Sequence, residues 1–130
     1  MNDDTFFQAD QITPADSEVT IIDFFAEPYQ DRSRVKINFR LSYFQEPPNA
    51  AISLSSIDGE EITSVDVVNI THPDNEVTLH IPKSQALQTE FQVELKLFRL
   101  VEHKALGDDK GQISLTTETL KSSTITFAIL

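Results

Sequence analysis

Residues 34–44, RVKINFRLSYF, place Val35, Ile37, Phe39, Leu41 and Tyr43 on one parity and Arg34, Lys36, Asn38, Arg40 and Ser42 on the other. An extended backbone alternates its side chains with a period of two, so this is the pattern of a strand with one buried face. A helix would scatter the same apolar residues around its circumference. Residues 91–102, FQVELKLFRLVE, repeat the pattern, with Phe91, Val93, Leu95 and Leu97 on one face and Gln92, Glu94 and Lys96 on the other. Two amphipathic strands of this length need a shared core, and the second reads as the natural partner of the first. The shorter runs then pair with these two and cover them, which predicts an all-β, antiparallel two-sheet domain.

Working outward, residues 19–26, VTIIDFFA, change parity between Ile21 and Ile22, which predicts a bulge or a strand that passes between sheets. Pro47 and Pro48 end the first long strand, because neither can donate to a ladder. Two strand-like runs then flank Asp58-Gly59, a favoured type I′ pair, and predict a hairpin. Ile52 and Leu54 point inward on its first arm. Ile62, Val65, Val67, Val68 and Ile70 on the second mix parities, which again implies a bulge or an element covered on both sides. Val77, Leu79 and Ile81 alternate up to Pro82, and residues 83–90 can hold at most one or two helical turns. A further parity change falls between Leu97 and Phe98. Residues 113–120 read either as a short strand or as a connection.

The chain ends in a strand with Ile125, Phe127 and Ile129 inward and no charged residue after Lys121. Such a strand is covered by the N-terminal arm, or lies inside its sheet, or pairs with a second copy of the chain. Residues 1–17 read as that arm, carrying Phe6 and Phe7, and residues 18–130 as a single β-sandwich domain. The seven or eight predicted strands, with turn signals at short spacing, resemble the immunoglobulin-like or fibronectin type III-like sandwich over residues 18–130. A jelly roll, a C2-like sandwich or a small barrel has much the same pattern. The chain has no Cys pair, no Trp and no Tyr on the second long strand, so the resemblance transfers no functional residue.

Composition bounds the function. A chain of 130 residues with 39% hydrophobic residues and nine Phe can build one core without metal or disulfide. The absence of Cys removes thiol chemistry and leans towards a reducing compartment. No signal-like block opens the chain and no apolar run approaches bilayer length, so the expected location is cytoplasmic and not membrane-bound. A net charge of −11 argues against affinity for nucleic acid or anionic membranes.

His72, His80 and His103 lack ligand spacing and read as surface or turn residues. No nucleophile elbow, phosphate-binding loop or dinucleotide fingerprint occurs, so no catalytic residue and no cofactor is expected. The weak calcium candidates are Asp58 and Glu60 beside Glu61 in the hairpin, Asp74 and Glu76 after His72, and Asp108 and Asp109 in GDDKG. Their plainer reading is turn chemistry and solubility. Asn69-Ile70-Thr71 is a glycosylation sequon, taken as accidental without a secretory signal. Arg34, Lys36 and Arg40, with Arg32 before them, concentrate positive charge on the outward parity of one strand. Pairing with acidic neighbours across the sheet and protection of an edge explain such a stripe, and docking of an acidic partner is the alternative. The expected function is a non-enzymatic interaction or assembly module, with another protein, or a second copy of the chain, as partner. A calcium- or small-ligand-binding sandwich of C2-like type is the alternative.

Overall fold

The computed structural model describes residues 19–85, 88–104 and 113–129. Those residues form seven antiparallel strands: β1 (Ile21–Pro28), β2 (Arg34–Leu41), β3 (Asn49–Ser56), β4 (Glu61–Val67), β5 (Asp74–His80), β6 (Glu90–Lys104) and β7 (Ile113–Ala128). A single 3-10 turn, Lys83–Gln85, takes the place allowed for a short helix. One sheet has the order β1-β2-β5 and the other β4-β3-β6-β7. The expected two-sheet sandwich is therefore the fold. The two long amphipathic strands nevertheless belong to different sheets: β2 pairs with β1 and β5, and β6 pairs with β3 and β7.

The core lies between the sheets and is made by the parities read from the sequence. Val35, Ile37, Phe39 and Leu41 on β2 are buried together with Ala50, Ile52 and Leu54 on β3 and Phe91, Val93, Leu95 and Leu97 on β6. Phe91 stacks on Phe127 across the β6–β7 pair, with ring centroids 5.5 Å apart. Aromatic contacts of this kind add to the effect of burial itself. Tyr43 departs from its expected inward place and is 70% exposed. The strand ends at Leu41, and Ser42 turns to the chain before β1, its N–H donating to the Thr20 carbonyl while its Oγ accepts from the Thr20 N–H.

Each expected parity break corresponds to an extra residue in an edge strand. Ile22 is the extra residue of β1 against β2, Ile62 that of β4 against β3, and Leu120 that of β7 against β6. In the last case the break seen in β6 at Leu97 and Phe98 is answered by a bulge in the facing strand. The bulge turns Ile62 and Leu120 towards the core, where both pack half-buried, whereas Ile22 stays exposed. Bulges at sheet edges bend the strand and interrupt the row of free hydrogen-bonding groups.

The β3–β4 connection is a hairpin of a different type from the one expected. Gly59 has φ 98°, but Asp58 is not among the residues with positive φ, so the turn is not type I′. The Gly59 N–H instead donates to the Ser56 carbonyl and the Ser56 N–H to the Glu60 carbonyl. That is a three-residue loop closed by a left-handed glycine, the next most common hairpin form.

Candidate functional site

β6 and β7 are 15 and 16 residues long, whereas β3 is 8, and the β3 pairing with β6 stops at Phe98. Beyond that point residues 99–104 and 113–119 continue as a two-stranded ribbon that projects past β3. Leu100 faces Thr117 and Leu115 faces Glu102, so both leucines stand on the same side of the ribbon, and they are 53% and 60% exposed. Phe98, opposite Thr119, extends that side towards the body of the sandwich.

At the foot of the ribbon lies an open groove of about 580 Å³. Val19, Phe44, Pro48 and Leu120 supply apolar walls, and Glu46, Asn69 and Arg99 supply polar ones. Asn49 ties its floor together: its Nδ2 donates to the Phe98 carbonyl and its Oδ1 accepts from the Asn69 N–H. The second bond holds Asn69 at φ 56°, a left-handed conformation that asparagine tolerates. Arg99 lies between Glu46 at 3.9 Å and Glu118 at 4.0 Å. These are exposed pairs and contribute little stability. They do set the charge at the mouth of the groove.

The basic stripe lies on the outward face of β2, the central strand of its sheet, so it does not guard an edge. Arg34 rests its guanidinium 4.4 Å from the centre of the Tyr29 ring, and Lys36 approaches Glu76 at 4.0 Å. Arg40 Nε donates to Asp74 Oδ1 at 2.6 Å, and this bond holds its guanidinium pKa above the ordinary value. Asp23 sits opposite Arg40 on the other flank. Acidic neighbours on β1 and β5 thus surround most of the stripe.

The described acidic candidates for calcium are divided. Asp58 and Glu60 lie in the β3–β4 hairpin, whereas Asp74 and Glu76 open β5, next to Arg40 and Asn38 of β2. Because β3 runs back along the sandwich from the end of β2, these two sets sit at opposite ends. Asp58 accepts from the Ser56 hydroxyl and from the Glu60 N–H, which hold its carboxyl below the usual aspartate value. Among the described residues no three His, Cys, Asp or Glu side chains gather into a metal-binding group. Asp108 and Asp109 lie outside the described residues, as does the arm of residues 1–17. His72 and His80 are exposed, as expected.

No protein-family model and no curated protein matches the chain. Two solved structures of Parabacteroides merdae β-glucuronidase superpose on it with a TM-score of 0.47 at 14% identity, one of them carrying glycerol in its active site. The match covers 78% of this chain and 13% of the enzyme chain. Among the described residues no helix is long and apolar enough to cross a membrane.

The sequence reading missed the ribbon and the groove. The available signal was length: the pattern opened by Phe91 continues to Glu102, longer than any other strand-like run.

Proposed function

We propose that this chain is a non-enzymatic β-sandwich interaction module that assembles with a second copy through the β6–β7 ribbon and its foot. The observation that carries the reading is the pair of exposed leucines, Leu100 and Leu115, on one side of a ribbon that no described strand covers. A two-stranded ribbon is marginal alone in water, and exposed apolar side chains grouped on it mark a contact surface. The strand order supports the module reading by analogy of fold alone: strands one, two and five face strands four, three, six and seven, the immunoglobulin-like two-layer arrangement except that strand four joins the second sheet. A cysteine-free acidic chain fits a reducing compartment such as the cytoplasm. The docking surface is placed on the ribbon rather than on Arg34, Lys36 and Arg40, because that stripe already faces carboxylates and a tyrosine ring.

Replacing both leucines, L100D with L115D, tests the reading. The change is expected to abolish self-association in light scattering while leaving the folded sandwich intact by circular dichroism. Association unchanged in the double variant would remove the ribbon from the interface.

A further inference from the structure

The chain contains a single Asp-Gly pair, Asp58-Gly59, and no Asn-Gly. In such a pair the glycine amide nitrogen, unhindered by a side chain, can attack the aspartate Cγ and close a five-membered succinimide. Water leaves, taking one carboxyl oxygen and two protons, one from the amide and one from the acid. Water then reopens the ring at either carbonyl. Cleavage at Cγ returns aspartate, and cleavage at the former main-chain carbonyl leaves isoaspartate, whose backbone runs through the side chain. Nothing is oxidised or reduced, and water is the only co-reactant.

The pair sits in the β3–β4 hairpin loop, where Asp58 and Gly59 are both exposed and a side chain on Gly59 would meet nothing within 4 Å. Solvent and space for ring closure are therefore present. The groups that must react are nevertheless both engaged. The Gly59 N–H donates to the Ser56 carbonyl at 2.9 Å. The Asp58 carboxylate accepts through Oδ1 from the Ser56 hydroxyl and from the Glu60 N–H, the latter at 3.2 Å. Ser56 itself is 3% exposed, and its own N–H is tied to the Glu60 carbonyl at 2.9 Å. Its hydroxyl is thus presented to Asp58 from a fixed strand position.

We propose that Asp58 is a latent succinimide site and that the Ser56 hydroxyl holds it closed in the folded protein. Ring closure strips the Gly59 nitrogen of the proton bonded to the Ser56 carbonyl. It also converts the carboxylate held by the Ser56 hydroxyl and the Glu60 N–H into a ring carbonyl. One residue therefore anchors both reacting groups. The same bonds hold the carboxyl below the ordinary aspartate value, so the folded hairpin keeps it as the carboxylate, whereas ring closure expels water from the neutral acid. Local opening of the hairpin is then the step that admits the modification. Isoaspartate adds a methylene to the backbone of a three-residue loop, which no longer matches the spacing of the Ser56 and Glu60 bonds that close it.

Peptide mapping of the full chain, incubated at neutral pH in buffer and in urea, tests the assignment. Isoaspartate at position 58 is read by resistance to an aspartate-directed endoprotease and by a shift in retention at unchanged mass. It should form about tenfold more slowly in the folded protein than in the unfolded one, the factor that a hydrogen bond to a charged group is worth. S56A keeps the backbone bonds and removes the hydroxyl, and should raise the folded rate by about the same factor. Amide exchange at Gly59 should stay as slow in S56A as in the unaltered protein, which separates loss of the hydroxyl from opening of the whole hairpin. Should S56A not fold, the rates of the unaltered chain in buffer and in urea remain the deciding pair, and equal rates would overturn the shielding. A folded S56A that isomerises no faster, or whose Gly59 amide exchange accelerates in step with isomerisation, would overturn the role of the hydroxyl.

Discussion

Phe39 and Asn38 are neighbours on β2 with opposite surroundings, and they test the parity on which the fold rests. Phe39 is 2% exposed between the sheets, whereas Asn38 lies on the outer face and donates to Glu27 at 2.9 Å. Phe39→Ala should cost about 3 to 5 kcal/mol in denaturant unfolding, and Asn38→Ala roughly 0.5 kcal/mol or less. Equal losses would contradict the parity. Asp58 gives a second residue-level test, in pH. Its carboxyl is held below the ordinary value by the Ser56 hydroxyl and the Glu60 N–H, so the folded state binds fewer protons there than the unfolded one. Its contribution is present above the unfolded pKa and is lost as pH falls through the lower folded value, in the region below roughly pH 4. Asp58→Asn should flatten this part of the acid limb of the Tm-against-pH curve, and an unaltered limb would show that the hairpin bonds do not act this way. At this scale the buried residues were legible, because alternation alone says which side chains leave water. Tyr43 was not, because a strand's last residue is decided by the Ser42 and Thr20 backbone bonds and not by the apolar pattern.

The three bulged edge strands show what can and cannot be read of an element. A break in parity was visible at Ile21 and Ile22, among Ile62, Val65 and Val67, and at Leu97 and Phe98, because an extra residue shifts every later side chain to the other face. Which strand of a pair holds the extra residue was not visible at the third site, since the apolar pattern of β6 reports only a mismatch with its neighbour. The continuity of β7 was hidden for a related reason. Residues 115–119 are exposed, and residues 113–120 lack the alternating apolar pattern, so the sequence there no longer distinguishes strand from connection. The outermost described strand, β7, supplies the prediction at this scale. Thr126 is exposed on β7, the last strand of its sheet among the described residues. Thr126→Lys should weaken the dimer in light scattering and move Tm by no more than roughly 2 °C, as an exposed substitution does. A large loss of Tm would place Thr126 in the core instead.

For the molecule as a whole, the two-layer class could be read from two amphipathic strands, but the assignment of strands to sheets could not. Alternation shows that β2 and β6 each bury one face; it does not say whether they lie side by side or across the core, and here they lie across it. The same distinction governs the described acidic candidates, Asp58 and Glu60 against Asp74 and Glu76, which are adjacent to loops in sequence but divided between opposite ends of the sandwich. Millimolar calcium is accordingly expected to leave Tm unchanged. A rise equivalent to roughly 2.7 kcal/mol, as for a ligand at a hundred times its dissociation constant, would support the calcium-binding alternative. The groove, the exposed leucines and the bulged edge of β7 all lie on or beside the β6–β7 pair, and together they make self-assembly the central claim. Sedimentation equilibrium of the unaltered protein across the micromolar range tests it most directly: the account predicts a molar mass that rises with concentration from 14.6 kDa towards twice that value, and a mass fixed at 14.6 kDa throughout would contradict it.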